Sequence, residues 1–295
     1  MLARLLQALH SLQGPDIELI VVDNHSEDGT PGVVAASAPG CTYLRTAANI
    51  GVGARNLGLR RAAGDVVICL DDDVFGIDAH AIAAVRRAFE ADARLGAINF
   101  RILDPYTQRV CNWVHHCTVE EYADRTFDTY EITEGAVAFR KAAVEAAGYY
   151  PDYFFLSHEG PDLAFRMMGA GYRVEFRGTI VVEHWHASAG RKPGMCHYYD
   201  TRNQYWLAAR NFPAGYALRY LARGQASTFV YAVRDGFLRH WLRAVKDGVT
   251  GARRAWRDRR VLSPATLALI HDIDARRAPF LYMARARLFQ KDMRL

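Results

Sequence analysis

The chain has 295 residues, 51% hydrophobic and 23% charged, a balance that excludes global disorder and allows a sizeable buried core. Its five cysteines, an odd count without any C-x-x-C spacing, exclude a disulfide framework or zinc knuckle and imply a reducing compartment. No signal peptide is visible and no apolar run approaches the ~20 residues that cross a bilayer, so the chain is expected in the cytoplasm or at the inner face of a membrane.

In chain order, Met1 to Leu12 carries leucines at helical spacing, and Ile17 to Val22 is a short apolar run ending in Asp23-Asn24. Pro31 opens a short helix to Ala36. Cys41 to Arg45 is expected as a strand, Gly51 to Ala63 as a helix, and Asp65 to Leu70 as a buried strand running into Asp71-Asp72-Asp73. Asp78 to Phe89 is expected as a helix and Ala97 to Ile102 as a strand. This alternation predicts a mostly parallel sheet covered by helices, with ligands beyond the carboxyl ends of the strands. Asp23 and the aspartate triplet share that rim.

The pattern loosens over 105–133. Beyond it, Gly135 to Arg140 is expected as a strand, Lys141 to Ala147 and Asp162 to Ala170 as helices, and Tyr172 to Glu183 as one strand or two. From Tyr198 onward the chain reads as helical, broken near Pro213, Gly224, Gly251 and Pro264. The division expected is a catalytic domain over 1–197 and a helical region over 198–295.

Three carboxylates at a strand end repel one another unless a cation compensates. Asp71 and Asp73 point to one side of an extended segment, and hard divalent ions take oxygen ligands and bridge phosphates. The alternative is a solvated acidic turn. Asp23 can accept from a nucleobase or ribose hydroxyl, or cap the following turn with Asn24. Gly51-Val52-Gly53-Ala54-Arg55-Asn56 lacks the third glycine of a dinucleotide fingerprint and is not placed as one, which argues against NAD. Arg55 at a glycine-rich helix start can still contact phosphate. His184 and His186 are either metal ligands or hydrogen-bonded interior residues. Asp162 can cap a helix. Glu159 has no such plain role and is a candidate base.

Taken together, these segments resemble the family 2 glycosyltransferases of the GT-A fold, from about Leu2 to about Pro213. The resemblance rests on Ile20 to Asn24 with Ser26 to Thr30, Asn49-Ile50-Gly51 with Ala54-Arg55-Asn56, Gly64-Asp65 through Asp73, Glu159 with Asp162-Leu163 and Arg166, and Gly171-Tyr172 running to His184. It implies a Rossmann-like α/β domain with a helical C-terminal appendage. It implies an inverting transfer from a UDP-, GDP- or dTDP-sugar to an acceptor hydroxyl, assisted by Mn²⁺ or Mg²⁺. Asp23 and Asn24 are then expected at the nucleotide, with Arg55 and Asn56 lining its pocket. Asp71 and Asp72 are expected at the donor, and Asp71, Asp73 and His184 at the metal, with His186 as fallback.

Two departures stand out. The family's E-D-x-D-L reads Glu159-Gly160-Pro161-Asp162-Leu163 here, so the base is expected to be Glu159, with Asp162 second. The family's opening strand and its P-x-Y-N loop are not seen, so the sheet is expected to expose a central edge. A non-catalytic relative that binds a nucleotide sugar or glycan, and a nucleotidyltransferase, are the competing readings.

The late arginines Arg253, Arg254, Arg257, Arg259 and Arg260 either meet an anionic partner or form a solvated helix face. Nucleic acid is not expected. Leu218, Tyr220, Phe229, Val233, Phe237, Trp241 and Val245 alternate with Arg219, Arg234, Arg239 and Arg243 in basic amphipathic helices. These either pack on the catalytic domain or touch a membrane. The acceptor expected is a glycan or a lipid-linked glycan of the cell envelope, in polysaccharide synthesis.

Overall fold

The computed structural model describes residues 1–133, 135–185 and 194–278. Helix α1 (Leu2–His10) leads to strand β1 (Ile20–Asp23), helix α2 (Thr30–Ser37) and strand β2 (Thr42–Arg45). A 3₁₀ turn over Gly51–Ala54 then feeds α3 (Arg55–Arg61), so the helix expected from Gly51 begins as a tighter turn. The close approach of Phe155 requires glycine at position 51: a Cβ there, at φ +60°, would lie 2.1 Å from the Phe155 carbonyl oxygen.

Next come β3 (Val66–Leu70), β4 (Val74–Phe75), α4 (Ala79–Ala91), β5 (Leu95–Leu103), α5 (Val119–Tyr122), β6 (Thr126–Asp128), β7 (Ala136–Arg140) and α6 (Lys141–Ala147). The Asp78 side chain caps α4 by accepting from the Ala81 N–H at 2.7 Å. The chain continues through α7 (Glu159–Gly169), β8 (Arg173–His184), α8 (Met195–Asn211), α9 (Ala214–Arg234), α10 (Leu238–Arg257) and α11 (Pro264–Asp274).

Two sheets form. β1 and β2 pair in parallel, and a larger sheet runs β3-β7-β5-β8-β4, with β6 also on β8. The larger sheet is mixed rather than mostly parallel: β5–β8 is parallel, whereas β7 is antiparallel to both β3 and β5. β3, β5 and β8 therefore share one direction, and β7 is threaded between two of them in reverse. β8 is one continuous strand whose pairing with β5 skips residues between Arg177 and Val181.

Among the described residues, β3 ends the larger sheet and β1 pairs only with β2, so pairing stops between them. This leaves the exposed sheet edge that the sequence implied. Both strands line one cleft of about 4060 Å³.

Apolar residues of β7, α6, α7 and α8 share one core with Ala255, Leu262 and Ile270 from the C-terminal region. The helices after residue 198 thus close over the α/β core. The breaks expected at Gly224 and Gly251 do not occur, and α9 and α10 run straight through them. These glycines serve interhelical contact: a Cβ on Gly251 would lie 2.6 Å from the Trp206 ring, and one on Gly224 would lie 2.2 Å from Gln204 Oε1. Pro213 and Pro264 do mark helix starts.

Candidate functional site

Asp23 closes β1 and is 3% exposed. Its Oδ1 accepts from the Ser26 N–H at 2.7 Å, and its Oδ2 accepts from the Tyr43 hydroxyl at 2.5 Å and faces Arg45 Nε at 3.4 Å. Burial pushes this carboxyl up. The hydrogen bonds from Tyr43 and Ser26, with the Arg45 charge, outweigh it and hold the group below the usual aspartate range. Asn24 ties the strand end to the next loop. Its Nδ2 donates to Asn49 Oδ1 at 3.0 Å and to the Gly51 carbonyl at 3.1 Å, and its Oδ1 accepts from the Ile50 N–H at 2.9 Å.

Arg55 projects from the first turn of α3 and pairs with Asp71 at the end of β3. Asn56 faces the other way. It exchanges two hydrogen bonds with the Tyr150 backbone, at 3.0 and 3.1 Å, and does not line the cleft.

Asp71, Asp72 and Asp73 all line the cleft. Asp72 is exposed by surface area yet sits within the cleft walls. Loss of solvent there, then the charges of Asp73 and Asp71, push its carboxyl above the usual range. Burial is the larger cause, and repulsion among the three carboxylates adds to it.

β4 carries the chain from the triplet directly onto β8, pairing Val74 with His184. That register sets His184 Nε2 3.0 Å from Asp73 Oδ1, while Asn112 Nδ2 lies 2.6 Å from His184 Nδ1. Asp73 and His184 therefore meet. Asp71 turns to Arg55 instead, and among the described residues no three His, Cys, Asp or Glu side chains converge as a ready-made cage. Asp73 offers the carboxylate oxygen that Mn²⁺ or Mg²⁺ takes, with the remaining positions left to substrate phosphate and water, while the His184 nitrogen would suit Mn²⁺ better than the harder Mg²⁺. His186 lies outside the described residues.

The helix expected from Asp162 begins three residues earlier, at Glu159, with His158 at the N-cap in a left-handed conformation. Glu159 is the first residue of α7 and is 4% exposed, and it lines the cleft. Asp162 is then one turn inside α7 and does not cap it. It is 0% exposed and accepts from Arg210 Nε at 2.9 Å and Asn211 Nδ2 at 2.6 Å, with Arg166 Nε at 3.5 Å.

The loop before α7 is unusual. Phe155, Ser157 and His158 all have φ between 65° and 68°. Its conformation is held from α8: Asn203 Nδ2 reaches the carbonyls of Phe154, Leu156 and Ser157 at 3.1, 2.6 and 2.7 Å, and Arg202 Nη2 reaches Phe154 at 2.7 Å. Backbone strain of this kind persists only where the surroundings over-determine it. Asp200, also on α8, faces His158 Nε2 at 2.8 Å beside the cleft. Burial lowers the His158 pKa, but the contact with Asp200 more than offsets this and holds it above the usual value. Sequence reasoning missed Asn112, His158, Asp200, Arg202 and Asn203. The one signal was the helical pattern from Tyr198 onward, which places Asp200, Arg202 and Asn203 on a helix without naming their partners.

Residues 1–147 match the profile of the family described as Glycosyl transferase family 2. The chain belongs to that family. A solved structure of Staphylococcus aureus TarS, residues 1–349, is similar over 93% of this chain and 83% of its own, with TM-score 0.59 and 16% identity. The same protein in complex with UDP-GlcNAc gives TM-score 0.60 and 17% identity, over 97% and 84%. The mannosyltransferase PcManGT from Pyrobaculum calidifontis, in complex with GDP-Man and Mn²⁺, gives TM-score 0.54 and 18% identity, over 99% and 84%. At these identities the likeness establishes the GT-A fold. An uncharacterized protein of Haemophilus influenzae is 28% identical over 151 residues, 48% of this chain and 82% of the relative. Among the described residues no helix is long and apolar enough to cross a membrane.

Proposed function

We propose that this glycosyltransferase moves a sugar from a nucleotide-diphospho-sugar to an acceptor hydroxyl with inversion of the anomeric carbon, using a divalent cation. The observation that carries this reading is the Asp73–His184 pair, 3.0 Å apart on the cleft wall beside Asp71 and Asp72. Asp73 and His184 hold the cation, with Asp71 and Asp72 adding negative charge nearby. When bound, the ion supplies positive charge to the leaving diphosphate. Asp23 and Asn24 shape the β1 loop against which the nucleotide lies, and Arg55, poised on Asp71, meets phosphate oxygens. Asn56 supports α3 from behind.

Glu159 takes the acceptor proton as that oxygen attacks from the face opposite the leaving group. Its position at the first turn of α7, on the cleft wall, supports this role. The strained loop clamped by Asn203 holds its backbone in place. The donor is a UDP-, GDP- or dTDP-sugar, and the acceptor a glycan or lipid-linked glycan of the cell envelope. The deep burial of Glu159 favours one competing reading, a relative that binds nucleotide sugar without turning it over.

Release of nucleoside diphosphate from a panel of such sugars with Mn²⁺, with the product anomer read by NMR, tests the proposal. Glu159→Gln should lower kcat by roughly 10²–10⁴-fold with KM little changed. Turnover that survives the substitution removes Glu159 from the chemistry. Binding without any turnover in the wild type supports the non-catalytic reading.

A further inference from the structure

α10 is partitioned lengthwise into three faces. Ala244, Gly248 and Ala255 are buried against the rest of the protein. Leu238, Leu242, Val249 and Trp256 are all exposed, the last three at 56%, 58% and 61%. At 100° per residue these four fall within about 40° of one another, a stripe about 27 Å long. Arg239, Lys246, Arg253 and Arg257 follow about 60–100° around the helix, on its far side from the buried seam. All four are exposed, and among the described residues none has an ion-pair partner.

The stripe continues onto α9. Phe229, Val230 and Val233 are exposed there, and the Phe229 ring packs edge-on against Trp241 of α10 at 5.2 Å. At this corner the patch borders the cleft, because Arg234 and Phe237, the chain neighbours of Val233 and Leu238, line it.

We propose that this face docks on an anionic lipid surface, with the apolar stripe entering the acyl boundary and the basic row meeting the headgroups. An apolar stripe beside a continuous Lys/Arg row on a helix of low overall hydrophobicity is the pattern of a helix lying in the interface plane. A second copy of the chain packed antiparallel through the stripe fits poorly, because that two-fold contact sets the two basic rows side by side. Docking here turns the α9–α10 side of the cleft toward the bilayer, where a lipid-linked acceptor is presented. That last step rests on the proposed transferase reading, whereas the docking itself does not.

Co-sedimentation of the full chain with vesicles of phosphatidylcholine alone, and of an equal mixture with phosphatidylglycerol, tests the proposal at low and high salt. The wild type should pellet with the anionic vesicles and be released by salt. Leu242→Asp with Val249→Asp should abolish pelleting. Lys246→Glu with Arg253→Glu leaves the apolar stripe intact and should weaken anionic binding roughly 25-fold or more, since each basic residue near the surface contributes about fivefold. Thermal melting of each variant separates lost docking from lost fold. Equal pelleting with both vesicle types, no vesicle binding by the wild type, or a wild-type dimer that Leu242→Asp with Val249→Asp converts to monomer, would each overturn the proposal. Nucleotide binding by the same variants reads the donor site separately, so failure of docking and failure of the transferase reading are distinguishable.

Discussion

Asp162→Asn separates the two carboxylates of the Glu159-Gly160-Pro161-Asp162 segment by their physical roles. Asp162 is fully buried between Arg210, Asn211 and Arg166, all on α7 or α8. The amide keeps the shape and one carbonyl acceptor but removes the negative charge facing two buried guanidinium groups. Breaking a buried pair costs about 3–5 kcal/mol, because the remaining charge is left uncompensated. Here the arginines keep other partners. Arg210 Nη1 still faces Asp258 Oδ2 at 3.0 Å, and Arg166 Nη2 still donates to the Asp258 carbonyl at 2.6 Å. The expected loss therefore sits at the lower end, about 3 kcal/mol. With urea m-values of about 1–3 kcal/mol per molar in small proteins, and at the upper end or above for this size, the midpoint should fall by about 1 M. Urea titration followed by far-UV circular dichroism reads it. An unchanged midpoint with turnover abolished would refute the structural role and make Asp162 the base.

The pH dependence of stability should carry the signature of His115. Burial, with a smaller contribution from His116, pulls its pKa from 6.5 down to about 3. Its ring packs among Trp113, Phe127 and Phe176. Because the folded pKa is depressed, the stabilisation is complete above the unfolded value and is lost as pH falls from about 6.5 toward 3, as only the unfolded chain gains the proton. Replacing His115 with Gln should flatten the wild-type slope by up to about 1.4 kcal/mol per pH unit below pH 6, measured by urea unfolding across pH, and equal slopes would count against it. Gly251→Ala should destabilise by about 1–3 kcal/mol through the clash with Trp206, whose Nε1 is held by the Gly248 carbonyl at 3.0 Å. Gly224→Ala meets only the flexible end of Gln204, and its helix-propensity gain of about 1 kcal/mol should leave it near neutral by the same assay.

The sequence made most of the rim legible because strand ends and acidic residues are local signals. Asp23 at the end of β1 and the triplet at the end of β3 lie where alternating apolar runs and loops put them. The pairing of His184 with Asp73 followed from the family resemblance, and the β4–β8 register gives its physical reason. What stayed hidden depends on contacts between distant segments. Asn203 clamps a loop 46 to 49 residues away, and Asn56 bonds a backbone 94 residues away. No periodicity reports such partners. Gly224 and Gly251 misled for the same reason: locally a glycine weakens a helix, whereas here both face α8 across a close helix contact, and at Gly251 the rigid Trp206 ring requires the missing side chain. The reversed strand β7 was equally hidden, since an apolar run does not encode its direction. Of the late arginines, Arg259 Nη2 donates to the Phe212 carbonyl at 2.6 Å and Arg254 faces Asp152 at 3.6 Å, while Arg253 and Arg257 stay exposed on α10. One run of charge thus divides between packing and surface.

Calorimetric titration of UDP, GDP and dTDP into the wild type and Asp73→Ala, each with and without Mn²⁺, tests the donor site most directly. The account predicts that one nucleotide binds only with the metal and that Asp73→Ala loses this binding. Metal-independent binding that Asp73→Ala leaves unchanged, or no binding of any nucleotide under any condition, would contradict it.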